Sequence, residues 1–124
     1  MPTHAAVSIA ELVSEGARLF DEGRFFEAHE AWEAHWLGEK GEARRLLLQG
    51  LIQIAAAFHK LVDKDAPEPA ASLFAKGLAK LDRCSDAIGG VELARFRDAV
   101  RACKNALAEG RFECAMIPKC MVTS

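Results

Sequence analysis

The sequence contains no tyrosine, only two tryptophans and few β-branched residues, so it is poor in the residue types that favour β-strands. Alanine and leucine are abundant instead, and both have a high intrinsic helix propensity. We therefore predict an all-α protein.

Cysteine motifs that bind metal are also missing. None of the four cysteines belongs to a CxxC pair or has a histidine close by in the sequence, which argues against a structural zinc site. Cys84 and Cys103 fall on apolar faces of predicted helices, as is typical of buried free cysteines. Cys114 and Cys120 lie in a short tail, where we expect exposed thiols.

The sequence also lacks signals for nucleic-acid binding, membrane insertion and export. The net charge is -2 and the basic residues are scattered, whereas binding to nucleic acid or to an anionic membrane favours a basic stripe. The most apolar window, residues 46–58, is shorter than the ~18 residues needed to cross a bilayer. Residues 1–6 contain no basic start followed by an apolar stretch. We expect a cytoplasmic protein with neither a nucleic-acid nor a membrane partner.

The chain of 124 residues is long enough for one domain, which we predict to span residues 1–124. Hydrophobic periodicity predicts a compact bundle of about five helices built from antiparallel helix hairpins. Residues 1–6 and 111–124 are predicted to be irregular tails.

Capping residues and glycines place the helices along the chain. Ser8, followed three residues later by Glu11, is a typical helix start, and Gly23 ends this first helix. A linker with two prolines at residues 63–69 separates the third and fourth helices. The later helices are predicted at residues 24–37, 42–62, 70–90 and 91–109.

The second predicted helix carries an unusual mixture of aromatic and polar residues. On a helical wheel with ~3.6 residues per turn, its aromatic residues lie within ~60° of His29: Phe25, Phe26, Trp32 and Trp36. Glu33 lies within ~40° of His29, whereas Glu30 is ~100° away at the edge of the aromatic stripe. We therefore expect His29 and Glu33 to be buried.

A buried imidazole and a buried carboxylate need polar partners, because an unsatisfied buried polar group is costly. The third helix offers Gln49 and Gln53 one turn apart, with Gly50 between them allowing close approach. His59 follows the apolar window and is expected to be half-buried. We predict a polar pocket between the second and third helices, lined by His29, Glu33, Gln49, Gln53 and His59, with Glu30 at its rim.

Several interpretations of this pocket remain open. The polar residues can form a buried network that fixes the register of two helices. Alternatively, they can orient a small polar ligand between apolar walls supplied by Trp32 and Trp36, which is the interpretation that we prefer. The chain is then a binding or interaction module whose catalytic residues and cofactor are unknown.

A metal-dependent hydrolase is the enzymatic alternative, and whether the chain is an enzyme is left open. His29 and Glu33 resemble the HExxH zinc helix with glutamate in place of the second histidine. Glu30 would act as the base, and His59 is the best third ligand. We assign no metal on this pattern.

A structural role in dimerisation is a further alternative. The third helix is apolar on more faces than its neighbours are expected to cover, which favours a homodimer.

Two segments resemble the signature of the small bacterial and archaeal family called domain of unknown function 309. They are FDEGRFFEAHEAWEAHW at residues 20–36 and LQGLIQIAAAFHK at residues 48–60. The candidate site residues all fall within them: His29, Glu30, Glu33, Trp36, Gln49, Gln53 and His59.

The resemblance implies a compact helical bundle without an assigned activity. Leu37 stands where the family usually has arginine, and the linker at residues 63–69 replaces a turn resembling Asn-Gly. The resemblance also implies that residues 117–119 pack back onto the bundle.

Overall fold

The computed structural model describes residues 8–88 and 91–120. The prediction of an all-α fold is confirmed, because five α-helices account for most of these residues. A short antiparallel pair, β1 (Ala87–Ile88) and β2 (Val91–Glu92), precedes the last helix. The helices are α1 (Ile9–Asp21), α2 (Phe25–Gly38), α3 (Glu42–Phe58), α4 (Pro67–Leu81) and α5 (Leu93–Ala108).

The start and end of α1 agree with the sequence signals. Ser8 Oγ accepts a hydrogen bond from Glu11 N at 3.1 Å, and Glu11 Oε1 accepts one from Ser8 N at 2.9 Å. This reciprocal pair satisfies two backbone donors that the helix cannot satisfy itself. Gly23 has a φ of +80°, a conformation that glycine adopts without strain, and it turns the chain directly into α2.

The central helix is α3, which lies between α2 and α4. It approaches α4 closely at Gly50, where an added Cβ atom would lie 2.6 Å from Leu81 Cδ2. Gly77 of α4 lies at the same contact between α3 and α4, since a Cβ atom added to it would lie 3.0 Å from the carbonyl oxygen of Gly50. Gly50, which was predicted to allow close approach beside the two glutamines, therefore lies against α4 and not against α2.

The predicted boundaries of the fourth helix were wrong at both ends. Residues 63–69 were predicted to be a linker, but α4 begins at Pro67 because the first turn of a helix has no partner for a backbone N–H and tolerates proline. The helix ends at Leu81, well before the glycines at positions 89 and 90, which lie outside the described residues.

A π-helical turn, His59–Asp63, continues α3. The resulting helical stretch, Glu42–Asp63, has 22 residues and a mean hydropathy of 1.2 in its most apolar window. By length and composition alone it could cross a membrane, a test that residues 46–58 alone did not meet. Half of that window is buried inside the protein, and the core helix of a soluble protein passes the same test.

The core is centred on Phe20, whose ring contacts aromatic rings from three other helices. The centroid distances are 5.1 Å to Phe25, 5.5 Å to Phe58 and 5.6 Å to Phe96. Trp32 is fully buried, and its Nε1 donates to the carbonyl oxygen of Val13 at 3.0 Å. These contacts join α1, α2, α3 and α5 around one core.

The segment after α5 packs back onto the turn between α1 and α2. Cys120 N donates to Asp21 Oδ1 at 2.7 Å, and Lys119 Nζ donates to the carbonyl oxygen of Asp21 at 3.1 Å. Cys114 is exposed as expected, whereas Cys120 is only 7% exposed. The expectation of an exposed thiol at Cys120 was wrong because this docking buries it.

Candidate functional site

The buried face of α2 differs from the face predicted for it. Its buried residues are Phe25, Ala28 and Trp32, whose mean direction lies about 65° from His29 on the helical wheel. His29 and Glu33 are therefore half-buried, and the expectation of full burial was wrong. The aromatic residues of α2 span an arc of about 120° centred on His29, which is too wide for the pattern alone to fix the part that meets the core.

His29 and His59 nevertheless line a common cleft between α2 and the end of α3. Its lining also includes Phe26, Ala56 and Lys60, and its volume is about 210 Å³. We call it the His29–His59 cleft. The ring of Phe26 contacts both imidazoles, with centroid distances of 5.9 Å to His29 and 5.2 Å to His59.

The two imidazoles differ in their hydrogen bonding. His29 Nδ1 is buried and has no hydrogen-bond partner among the described residues. His59 Nδ1 donates to Asp63 Oδ2 at 2.8 Å. Because an ionised carboxylate only accepts hydrogen bonds, this contact places the hydrogen on Nδ1 and leaves Nε2 of neutral His59 as an acceptor.

The π-helical turn supplies this arrangement. His59 and Asp63 are its first and last residues, and their side chains meet beside the cleft. Such turns occur frequently at functional sites. The cleft therefore contains one imidazole held by a carboxylate and one imidazole with an unsatisfied nitrogen.

The glutamines of α3 do not reach this cleft. Gln53 Oε1 accepts a hydrogen bond from Lys80 Nζ of α4 at 2.9 Å. Gln49 lines a different cleft, together with Arg45 and Arg83. The predicted pocket combining His29, Glu33, Gln49 and Gln53 was wrong, since the glutamine-bearing face of α3 meets α4.

The remaining predicted site residues lie apart from the His29–His59 cleft. Glu33 is half-buried and makes no hydrogen bond or ion pair with another described residue, and Glu30 is exposed. Trp36 is half-buried beneath the guanidinium of Arg45, whose Cζ lies 4.4 Å from the ring centroid. Trp36, which was expected to supply an apolar wall, therefore does not line the His29–His59 cleft.

The described residues also do not form the ligand set that the metal-dependent alternative requires. Nowhere in 8–88 and 91–120 do three His, Cys, Asp or Glu side chains converge as ligands. The set of His29, Glu33 and His59 is thus not brought together, which removes the geometric basis of the HExxE interpretation.

Comparison with known proteins identifies the family. Residues 13–73 match the family described as Domain of unknown function (DUF309). The chain belongs to this family. An uncharacterized protein from Aquifex aeolicus is 31% identical over 88 residues, which cover 71% of this chain and 26% of that protein. The chain therefore spans about a quarter of the length of this curated relative.

The DUF309 match at residues 13–73 includes both imidazoles and Asp63, but it ends before Lys80, which bonds to Gln53, and before Arg83, which lines the cleft that contains Gln49. Phe26 and Asp63 were not among the predicted site residues, although Phe26 lines the cleft and Asp63 bonds to His59. Their spacing was the available signal, because Phe26 is three residues before His29 and Asp63 is four residues after His59, and such pairs share a helix face.

Proposed function

We propose that this DUF309 chain is a small-ligand binding module whose site is the His29–His59 cleft. The observation that supports the proposal most is the buried Nδ1 of His29, which has no partner among the described residues although its side chain lines an open cleft. An unsatisfied buried nitrogen costs folding free energy. Nδ1 has almost no accessible surface, so a ligand would reach it after a rotation of the imidazole, and a hydrogen bond to it would then remove this cost.

The lining of the cleft indicates the chemistry of the ligand. Phe26 is 48% exposed and offers an aromatic surface, while Lys60 contributes a positive charge. His59 Nε2 can accept a hydrogen bond when the ring is neutral. These groups favour a small ligand with an apolar or aromatic body and a polar group that bonds to His29.

The alternatives have less support from the geometry. A register-fixing network requires His29 and Glu33 to bond to each other or to the glutamines, and the described residues form no such bond. A metal-dependent hydrolase requires a ligand set that these residues do not provide. We therefore favour ligand binding over both.

The argument for a homodimer was based on apolar surface left uncovered on α3. The large apolar side chains that are exposed in the described residues are Phe26, Leu37 and Val62, and of these only Val62, in the π-helical turn, belongs to the helix predicted at residues 42–62. Neighbouring helices cover α3 more fully than expected. A homodimer, a cytoplasmic location and the absence of nucleic-acid and membrane partners stay predictions.

Protein-detected NMR with a library of small aromatic and aliphatic acids and amides tests the proposal. Fragments that bind are expected to shift the methyl signal of Ala56 and the ring signals of His29 and His59. His29→Ala is expected to weaken their binding by about tenfold, because the hydrogen bond to Nδ1 is lost.

His35→Ala is the matched control, since it removes a histidine of the same helix that does not line the cleft. It should leave fragment affinity unchanged. The proposal is wrong if no fragment shifts the cleft signals, or if fragments bind equally well to folded His29→Ala protein.

A further inference from the structure

A second cleft lies beside the first half of α3 and the residues that follow α4. It is lined by Glu42, Ala43, Arg45, Leu46, Gln49 and Arg83, and its volume is about 490 Å³. We call it the Arg45–Arg83 cleft. It shares no lining residue with the His29–His59 cleft.

The arginines of this cleft differ from the others in the protein. Within the described part of the chain, every arginine except Arg45 and Arg83 pairs with a carboxylate. The two unpaired arginines therefore occur in the same cleft. Two guanidinium charges that no carboxylate neutralises produce a positive potential there.

Arg45 is held in place although it has no acidic partner. Its Nη1 donates to the carbonyl oxygens of Trp36 and Glu39, both at 2.9 Å, and its guanidinium lies over the Trp36 ring. These contacts fix the side chain before any ligand arrives. A fixed guanidinium loses little conformational entropy when it binds an anion.

Gln49 and Lys80 add a neutral donor and a further positive charge on α3 and α4. The side-chain amide of Gln49 makes no hydrogen bond to another described residue. The ammonium group of Lys80, one turn before Arg83, bonds only to the neutral amide of Gln53 and to no carboxylate in 8–88 and 91–120. Glu42 is the one acidic residue of the lining, and its single charge is outnumbered.

We propose that the Arg45–Arg83 cleft is a second binding site, which takes a small anion bearing phosphate or carboxylate groups. Arg45 and Arg83 would bind the anion through charge-assisted hydrogen bonds, and Gln49 would add a neutral donor. The site is independent of the function proposed for the His29–His59 cleft, because the two sites use different side chains.

The test uses NMR titrations of the full chain with inorganic phosphate, pyrophosphate and citrate, each at constant ionic strength. We expect saturable shifts of the Nε–Hε signals of Arg45 and Arg83 and of the Gln49 side-chain amide. Comparing the three anions distinguishes a preference for phosphate from a preference for carboxylate. Arg83→Gln should weaken binding by about tenfold or more.

Two further variants make the test specific. Arg95→Gln removes an arginine of α5 outside the cleft and should leave the affinity unchanged. Glu42→Gln removes the opposing charge and should strengthen binding. Shifts that grow linearly without saturation, or equal affinities for Arg83→Gln and the unmodified chain, would overturn the proposal. Arg83 has no side-chain bond to another described residue, so its replacement should not prevent folding.

Discussion

His29 Nδ1 is a buried polar atom without a partner among the described residues, and such an atom lowers the stability of a fold. We therefore predict that His29→Ala lowers the free energy of unfolding by less than about 1 kcal/mol, because removing the unsatisfied nitrogen offsets the lost packing. Phe25→Ala on the same helix removes a fully packed ring, which is only 4% exposed, and should cost about 3–5 kcal/mol.

Urea denaturation of the two variants, followed by circular dichroism, measures both values. A loss for His29→Ala as large as that for Phe25→Ala would mean that His29 stabilises the core. That result would contradict a site whose polar group is reserved for a ligand.

Single residues also show where sequence interpretation reaches its limit. His29 and His59 were both assigned to the predicted pocket, and both line the His29–His59 cleft, although Glu33 and the two glutamines do not. Gln49 and Gln53 were correctly placed on one face of α3, but that face was assigned to α2. Periodicity shows which residues share a face and cannot show which neighbouring helix the face meets.

At the level of helices, local signals predicted most boundaries well. The capping box at Ser8 and the glycine turn at Gly23 depend only on nearby residues, so α1 agrees with its prediction. The π-helical turn after Phe58 has no comparable local signature. It depends on how the end of α3 packs, and a prediction from sequence therefore extended a regular helix through it.

The contact between α1 and α2 requires a glycine in the middle of α1. A Cβ atom added at Gly16 would lie 2.3 Å from Trp32 Nε1, and the indole is fully buried and cannot move away. We predict that Gly16→Ala destabilises the fold by about 1–3 kcal/mol, although alanine has the higher helix propensity. Thermal unfolding followed by circular dichroism measures the change.

Gly38→Ala is the matched control. Gly38 ends α2, and a Cβ atom added there meets nothing within 4 Å. This variant should be neutral or slightly stabilising, since alanine reduces the conformational freedom of the unfolded chain. If both variants had equal stability, close packing of Trp32 against α1 would not be what selects glycine at position 16.

At the scale of the whole molecule, Asp21 joins the last part of the described chain to the turn between α1 and α2. Its Oδ1 accepts from Cys120 N, so the segment after α5 is held against the turn between α1 and α2. This docking buries the Cys120 thiol, and burial, followed by the charge of Asp21, raises its pKa above the usual 9.0. The thiol is therefore protonated as well as inaccessible at neutral pH, and it should react slowly with alkylating reagents.

We predict that Asp21→Ala releases this segment and increases the rate at which iodoacetamide labels Cys120 by about tenfold or more, since the backbone N–H of Cys120 loses its acceptor. Mass spectrometry of the labelled peptides measures the rate, with exposed Cys114 as the internal reference. Asp21→Asn retains an acceptor oxygen at the same place and should label almost as slowly as the unmodified chain. Equal labelling of Cys120 in all three proteins would show that the apolar contacts of the segment, and not its bond to Asp21, hold it in place.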